Sequence, residues 1–479
     1  MLPKVTYIFR QTLVTAGVSL SVMEHCLVGG FSAILIPQLR EDTTFTVSSN
    51  TETWIASIYG ISLIPGALMT PFILSRYGRR KANLISSLIM ILGWVCTVFA
   101  NDAKLILFAR FIQGMALGIS SLSGPILVGE YTTPKYRGGF LTVMTLSLSL
   151  GSMIVHTVGS LLTWRRTAMF CLGLTVLDAI IILLSPETPV FLATRGRYDE
   201  CRKVFHWLRG HEEEDELEAM IKADMHRKET KLQNKKGLLK KITAKSKYVV
   251  DISKKSEFYK PLILMLHLDV INVWSGSMMM DIYGIDILHK LTRDDINVYN
   301  WLIAMDVVRL MAKGCGIVVH SKFKRRTMVI MFVCLNILAY LSTAIFSYTK
   351  DRNFGFYHPV IPAILVYFLI ITVGTGIQPL VNIIAGEIFP LEYKGVSSMI
   401  IVLFLAVNIT VKMKTLPYLF WNIGLPGTYC LYSGLIVYAL VVVMTILPET
   451  KDKTLQYIEE VYWKKPSFRD KLAKEQPSC

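Results

Sequence analysis

Three unusual polar motifs each occur twice in this chain, in the same order, at an offset of about 250 residues. Arg76-Tyr77-Gly78-Arg79-Arg80 is answered by Lys322-Phe323-Lys324-Arg325-Arg326. Gly129-Glu130 with Arg137-Gly138 is answered, at the same internal spacing, by Gly386-Glu387 with Lys394-Gly395. Pro186-Glu187-Thr188 is answered by Pro448-Glu449-Thr450. The motifs punctuate apolar runs of about 20 residues, long enough to cross about 30 Å of hydrocarbon as helix. No open sheet satisfies its backbone in lipid, so the runs are read as helices. A parallel repeat with charges at matched helix ends then predicts two bundles of spanning helices, the plan of a transporter.

Composition agrees where the argument needs it. The chain has 479 residues, 52% hydrophobic and 18% charged, too apolar for a soluble protein of that size. Its net charge of +16 collects in alternate short loops, the positive-inside pattern of a polytopic membrane protein rather than a nucleic-acid footprint. The eight cysteines are scattered singly and read as small core residues, not metal ligands or disulfides. The first apolar run begins near Thr12, shows no cleavable-signal pattern and is expected to remain as a span. Asn408-Ile409-Thr410, a formal glycosylation sequon, lies inside an apolar run and is discounted.

Twelve spans are expected, centred near Leu27, Leu63, Met90, Gly118, Leu150 and Val176, then Trp274, Arg309, Asn336, Val373, Phe404 and Tyr438. The expected organisation is a six-helix bundle over 1–193, a helical linker over 194–260, a second six-helix bundle over 261–447 and a tail over 448–479. Linker, tail and both termini are placed on the basic, cytoplasmic side. The acidic run from His211 to Glu216 is expected to be a solvated helix face without a ligand. Glycine and proline inside spans (Pro65, Gly66, Pro125, Gly374, Gly376, Pro379) are expected to allow close helix contact or bending.

The paired motifs sit at helix ends where charge-assisted bonds link neighbouring helices. Arg79, Arg80, Glu130, Arg137 and Glu187 form the expected gating network of the first half. Arg325, Arg326, Glu387, Lys394 and Glu449 form that of the second. Such networks supply a bistable element that holds the inner ends of the bundles in one state and releases them in another. The bland alternative, simple topogenic charge, does not explain three motifs duplicated in order.

These residues, with Pro186-Glu187-Thr188-Pro189, Gly386-Glu387-Ile388-Phe389-Pro390 and the run from Pro448 to Leu455, resemble the sugar porter branch of the major facilitator superfamily. The stretches 109–114 and 201–210 resemble the insect facilitated trehalose transporters within it. The resemblance implies an all-α membrane protein of the major facilitator fold, working by alternating access around a central site. It implies a facilitative carrier in the plasma membrane with trehalose or a hexose as default substrate.

The same resemblance breaks down at the sugar contacts. In span seven the amide-bearing motif of sugar porters becomes Asn272, Val273 and Met278 around Ser275-Gly276, while Tyr283 still matches. Asn382 replaces the stacking tryptophan of span ten, Leu405 and Ala406 replace an Asn-Trp pair in span eleven, and Thr145 stands for a glutamine in span five. Each unmatched buried hydroxyl costs about 1–3 kcal/mol, so an ordinary hexose loses affinity. The candidate substrate-binding set is Thr145, Asn272, Tyr283, Arg309 and Asn382.

New charges appear beside it. Asp306, Arg309 and Lys313 recur at helical spacing in span eight. Because spans seven and eight run oppositely, Asp269 lies near the depth of Lys313, and Asp281 near that of Asp306. Charges at that depth face the interior and pair. Arg309 either contacts a polar or anionic substrate or belongs to an ion-pair network that binds nothing. Glu24, His25 and His156 read as hydrogen-bonding groups inside the first bundle, with Glu24 a candidate proton site. Phe31 stands where proton-coupled relatives carry an aspartate, which favours facilitated diffusion. The rival readings are a carrier of a charged organic solute, a proton-coupled symporter using Arg309 and nearby acids, and a non-transporting sensor. No catalytic constellation, metal set or cofactor motif is present, and the expected partners are a small-molecule substrate and the lipid bilayer, with no nucleic acid and a monomeric chain.

Overall fold

The structure, a computed structural model, describes residues 2–42, 47–211, 213–233, 253, 255–292, 297–352, 358, 360–389, 394–451, 453 and 458. The central part of the linker, Glu212, Pro390, the side chain of Lys394 and most of the tail lie outside the described residues.

Apolar runs become helices throughout. The first half is α1 (Leu2–Glu41), α2 (Ser49–Tyr77), α3 (Arg79–Val98), α4 (Ala103–Tyr131), α5 (Pro134–Leu161) and α6 (Trp164–Leu184). Short helices α7 (Pro189–Thr194), α8 (Tyr198–Arg209) and α9 (Glu214–Gln233) follow. The second half is α10 (Ser256–Trp274), α11 (Ser277–Leu291), α12 (Val298–Lys322), α13 (Arg325–Asp351), α14 (Val360–Thr372), α15 (Gln378–Ile388), α16 (Lys394–Asn422) and α17 (Gly424–Ile446). Helices α10 and α11 together make one span, as do α14 and α15. Eleven helical stretches among the described residues are long and apolar enough to cross a membrane. The twelfth expected span, α12, packs among them but carries Asp306, Arg309 and Lys313 in its interior.

Starts and stops follow local chemistry. Ser48 caps α2 by accepting from Thr51 N, Asp102 caps α4 by accepting from Leu105 N, and Pro134 opens α5 where its missing N–H is not needed. Gly66 and Gly118 let α2 and α4 touch backbone to backbone: a Cβ on Gly66 would lie 2.1 Å from Met115 O.

Both discontinuous spans interrupt the second half. Between α10 and α11, Gly276 holds φ +109°, and a Cβ there would meet Tyr340 Oη at 2.6 Å. The freed carbonyls are satisfied from α13: Tyr340 Oη donates to Trp274 O at 2.8 Å and Asn336 Nδ2 to Ser275 O at 3.1 Å. Between α14 and α15, Val373–Ile377 forms a π-helical segment containing Gly374 and Gly376. A Cβ on Gly376 would collide with the Phe332 ring.

Two expectations need correction. Residues of the acidic run are not simply solvated: Arg209 pairs with Glu213 at 3.2 Å and Glu216 at 3.1 Å, and His206 bonds Glu214 at 2.7 Å. The pairing arises because α8 and α9 fold back on each other over a small apolar cluster of Cys201, Phe205, Leu217 and Ile221. Nor are the cysteines uniformly core residues. Cys315, Cys334 and Cys430 are exposed on the flanks of membrane-length helices, where lipid rather than protein is the solvent. Asn408 is tied inside the bundle, accepting from Trp274 Nε1 at 3.2 Å and donating to Phe404 O at 3.0 Å.

Candidate functional site

The duplicated motifs fold into two near-identical staples at one end of the molecule. In the first, the Glu187 carboxylate accepts the backbone N–H groups of Arg79 and Arg80, both at 3.0 Å, and so caps the start of α3. Arg80 reaches back to the last carbonyls of α6, Ile182 O at 3.1 Å and Leu183 O at 2.5 Å. Arg79 pairs with Glu130 at 3.2 Å. In the second, Glu449 accepts from Arg325 N at 3.0 Å and Arg326 N at 3.3 Å, Arg326 reaches Met444 O at 3.0 Å, and Arg325 pairs with Glu387 at 3.2 Å. Thr450 Oγ1 also donates to Glu387 at 2.5 Å. Arg137 stands apart from the staple, making one long contact to Thr132 O at 3.5 Å. The linker is fastened here too, with Arg209 Nη2 donating to Thr132 O at 2.8 Å.

Each staple closes within its own half. Among the described residues, every hydrogen bond and ion pair recorded between the halves lies nearer the opposite end. Arg40 at the end of α1 bridges Glu52 and Asp286, both at 2.9 Å. Lys414 of α16 donates to Asn50 Oδ1 at 2.8 Å and Thr53 Oγ1 at 2.6 Å on α2. Behind Arg40 lies a cavity of about 320 Å³ lined by Glu52, Tyr283, Asp286, Lys290 and Phe420 among others. Among the described residues, the hydrogen bonds and ion pairs between the halves thus lie toward the end away from the basic motifs.

Deeper in, a buried charge cluster crosses between the halves. Arg309 of α12 is ion-paired with Asp281 of α11 and, at 3.1 Å, with Asp306. His156 of α5 meets Asp306 Oδ2 through Nδ1 at 2.6 Å and the Asp281 carbonyl through Nε2 at 3.3 Å. Both ring nitrogens thus face acceptor oxygens, which only a doubly protonated ring fills with donors. Ser152 Oγ donates to Asp281 Oδ1 at 3.3 Å. His156 and Asp306 are fully buried and Arg309 is 3% exposed, yet Arg309 Nε and Nη2 have no partner. Lys313, one turn further along α12, lies beside Cys26 of α1 and has no ion-pair partner among the described residues.

Among the described residues, no hydrogen bond links the other candidate substrate residues to Arg309. Tyr283 donates to Met413 O at 3.2 Å and lines the cavity behind Arg40. Thr145 bonds its own helix at Leu141 O, 2.6 Å away. Asn272 is half-buried, Asn382 is exposed, and neither bonds Arg309. Asp281 and Asp306 both pair with Arg309, in keeping with the common depth expected from the antiparallel run of spans seven and eight. Asp269 is buried and its Oδ2 has no partner; among the described residues it forms no ion pair, with Lys313 or any other group. Phe31 stacks on Arg110, 5.2 Å from ring centroid to guanidinium.

Lys412 of α16 escaped the sequence reading. It is wholly buried, donates to Val273 O at 2.5 Å and sits 5.6 Å from the Tyr432 ring centroid. A lysine inside an apolar run was the available signal.

Two halves of spanning helices, each with the same end-staple and with a polar cluster between them, define a multi-pass membrane transporter rather than an enzyme. Comparison with known proteins gives the family. Residues 15–462 match the family described as Sugar (and other) transporter, and the chain belongs to it. The facilitated trehalose transporter Tret1 of Apis mellifera ligustica is 25% identical over 457 residues, covering 94% of this chain and 87% of that protein. The Tret1-2 homolog of Drosophila simulans is 26% identical over 472 residues, covering 95% and 92%. The fold is that of the major facilitator superfamily. The inward-open xylose transporter XylE of E. coli superposes with a TM-score of 0.74 at 16% identity, covering 94% of this chain and 99% of that one. A peptide transporter, POT, bound to sulfate reaches 0.63 at 12% identity, covering 91% and 93%.

Proposed function

We propose that the chain is a facilitative carrier that moves a small polar solute across the plasma membrane by alternating access, with both termini cytoplasmic. The observation that carries the reading is the one-sided joining of the halves. The hydrogen bonds and ion pairs between them among the described residues lie toward one end, while the basic staples stabilise each half separately at the other. A rocking carrier needs that division: rigid halves, and a junction that opens at one end as it closes at the other. Trehalose or a hexose is the default substrate, supported by the trehalose transporters among the relatives. Phe31 against Arg110 supports diffusion without proton coupling.

A second substrate class is favoured by one feature, the unpartnered Nε and Nη2 of buried Arg309 with Lys313 one turn away. A solute carrying a carboxylate or phosphate would supply the acceptors that these donors lack. Uptake of labelled trehalose, glucose and small organic anions into liposomes separates the two. Trehalose or glucose uptake that survives Arg309→Gln supports the sugar reading. Anion uptake abolished by that substitution supports the second. If Arg309→Gln leaves uptake of every substrate unchanged, the contact idea is wrong, and if no solute moves, so is the carrier reading.

A further inference from the structure

The interior of the first half holds a polar cluster that the transport reading does not use. Helices α1, α3 and α6 build it. Ser21 Oγ and Ser87 Oγ both donate to Asp178 Oδ2, at 2.8 and 2.5 Å, and Asn83 Nδ2 donates to Ser21 Oγ at 3.1 Å. Glu24, on the same face of α1 as Ser21, lies within electrostatic reach of Asp178, with the Thr175 hydroxyl beside its carboxylate. The site is sealed: Glu24 is 3%, Asn83 2% and Asp178 1% exposed.

Three oxygens in this cluster, Glu24 Oε1, Asn83 Oδ1 and Asp178 Oδ1, meet no donor. Native interiors pair such atoms or give them an ion or water. No neighbouring cation serves. Arg110 of α4 spends its guanidinium on Val28 O at 2.5 Å and Ser32 Oγ at 3.0 Å. His25 is tied to Val22 O and Ser121 Oγ, and Arg80 to the end of α6. Asp281 and Asp306 of the second half have Arg309 between them; Glu24 and Asp178 have no such cation among the described residues.

We propose that the cluster binds one hard metal cation of the alkali or alkaline-earth class, ligated by Glu24, Asn83 and Asp178. Ser21 and Ser87 supply hydroxyl oxygens around it. The donor set is carboxylate, amide carbonyl and hydroxyl, all oxygen, which suits hard cations and disfavours zinc, copper or nickel. A cation here neutralises buried carboxylates that otherwise lack a counter-charge and ties α1 to α3 and α6. Because all the ligands belong to one half, the ion moves with that half and is retained through the transport cycle. The proposal rests on the fold and holds whichever solute is carried.

The test is thermal unfolding of the purified full chain in detergent, with N-methyl-D-glucamine chloride as baseline. NaCl, KCl, CaCl2 or MgCl2 replaces it at matched ionic strength. One of these should raise Tm saturably, by about 3 °C at about a hundredfold excess over its Kd. Asp178→Asn and Glu24→Gln should abolish the dependence, and Glu218→Gln on the linker surface should keep it. Glu24→Gln leaves the Ser21–Asp178–Ser87 bonds intact, so it remains informative where Asp178→Asn fails to fold. Absence of any cation-specific shift overturns the proposal, as does a shift that survives Glu24→Gln. A Tm that responds to pH but to none of the cations does the same, and assigns the cluster to a proton-bound acid pair.

Discussion

His156→Ala isolates the deepest link between the two halves. His156 belongs to α5 and Asp306 to α12, so their 2.6 Å contact exists only while the halves are joined at that end. In the opposite state the partners are apart, and removing the imidazole costs that state little. The substitution therefore acts on the difference between states. A hydrogen bond to a charged group contributes about 1.5–3 kcal/mol. Both partners are fully buried, so no solvent discount applies. Arg309 Nη1 still holds Asp306 at 3.1 Å in the variant, so the lower figure is the better one. At about 1.4 kcal/mol per decade, the ratio of joined to parted states falls about tenfold. The exposed Arg40–Asp286 pair contributes about 0.2–1 kcal/mol and is the weaker clamp.

Hydrogen–deuterium exchange on the detergent-solubilised chain reads this shift without labels. Segments 34–41, 283–291 and 410–418, which meet at the joined end, should exchange faster in His156→Ala. Segment 128–138, at the basic end, should exchange more slowly. His156→Gln, whose amide can still donate to Asp306, should fall between. A melting temperature near that of the parent, with exchange unchanged at both ends, would refute the assignment of this contact to closure.

The remaining predictions concern packing and the staples. Gly276→Ala places a Cβ 2.6 Å from Tyr340 Oη on a backbone at φ +109°, so it should lower Tm by strain of about 1–3 kcal/mol beyond the clash itself. Measured in a Tyr340→Phe background, which removes the clash but also strands Trp274 O, Gly276→Ala should still lower Tm, and no further loss there would argue against backbone strain. Glu187→Ala and Glu449→Ala should each destabilise by about 1–3 kcal/mol, because each strands backbone donors at a helix start. The matching Gln variants should be milder and alike in the two halves, since the geometry is alike; a marked difference in unfolding would break the equivalence of the staples.

Much of the fold was legible because lipid leaves a chain few choices. An apolar run of spanning length is a helix, and motifs recurring in order give two equivalent halves. The opposite directions of spans seven and eight place Asp281 near the depth of Asp306, but do not specify that both pair with Arg309. What could not be read was lateral. His156 meets Asp306 through the packing of α5 against α12, and nothing local to either residue encodes that register. Asn382 stands in line with a substrate contact of the family and yet is exposed. Ser275-Gly276 reads in the sequence only as the anchor of the span-seven motif; the bonds from Tyr340 and Asn336 of α13 show that the helix stops there.

The two staples also explain why the repeat survives at the rim and fails at the centre. Glu187 and Glu449 bind backbone N–H groups at the start of α3 and α13, and Arg80 and Arg326 bind carbonyls near the end of α6 and α17. Backbone geometry at a helix end is the same in both halves whatever passes between them, so the same side chains solve the same problem twice. The central positions face each other across the junction, and nothing there requires symmetry. Hence the second half holds Asp281, Asp306, Arg309 and Lys313 where the first supplies Cys26, Ser152 and His156. The charge is concentrated in one half and is met in part across the junction by His156 and Ser152, so on the proposed anion reading the junction itself would be part of the binding surface. A solute that engages the free edge of Arg309 would compete with no existing bond of that side chain. It would also loosen or tighten the same cluster that joins the halves, so binding and rocking share the same atoms.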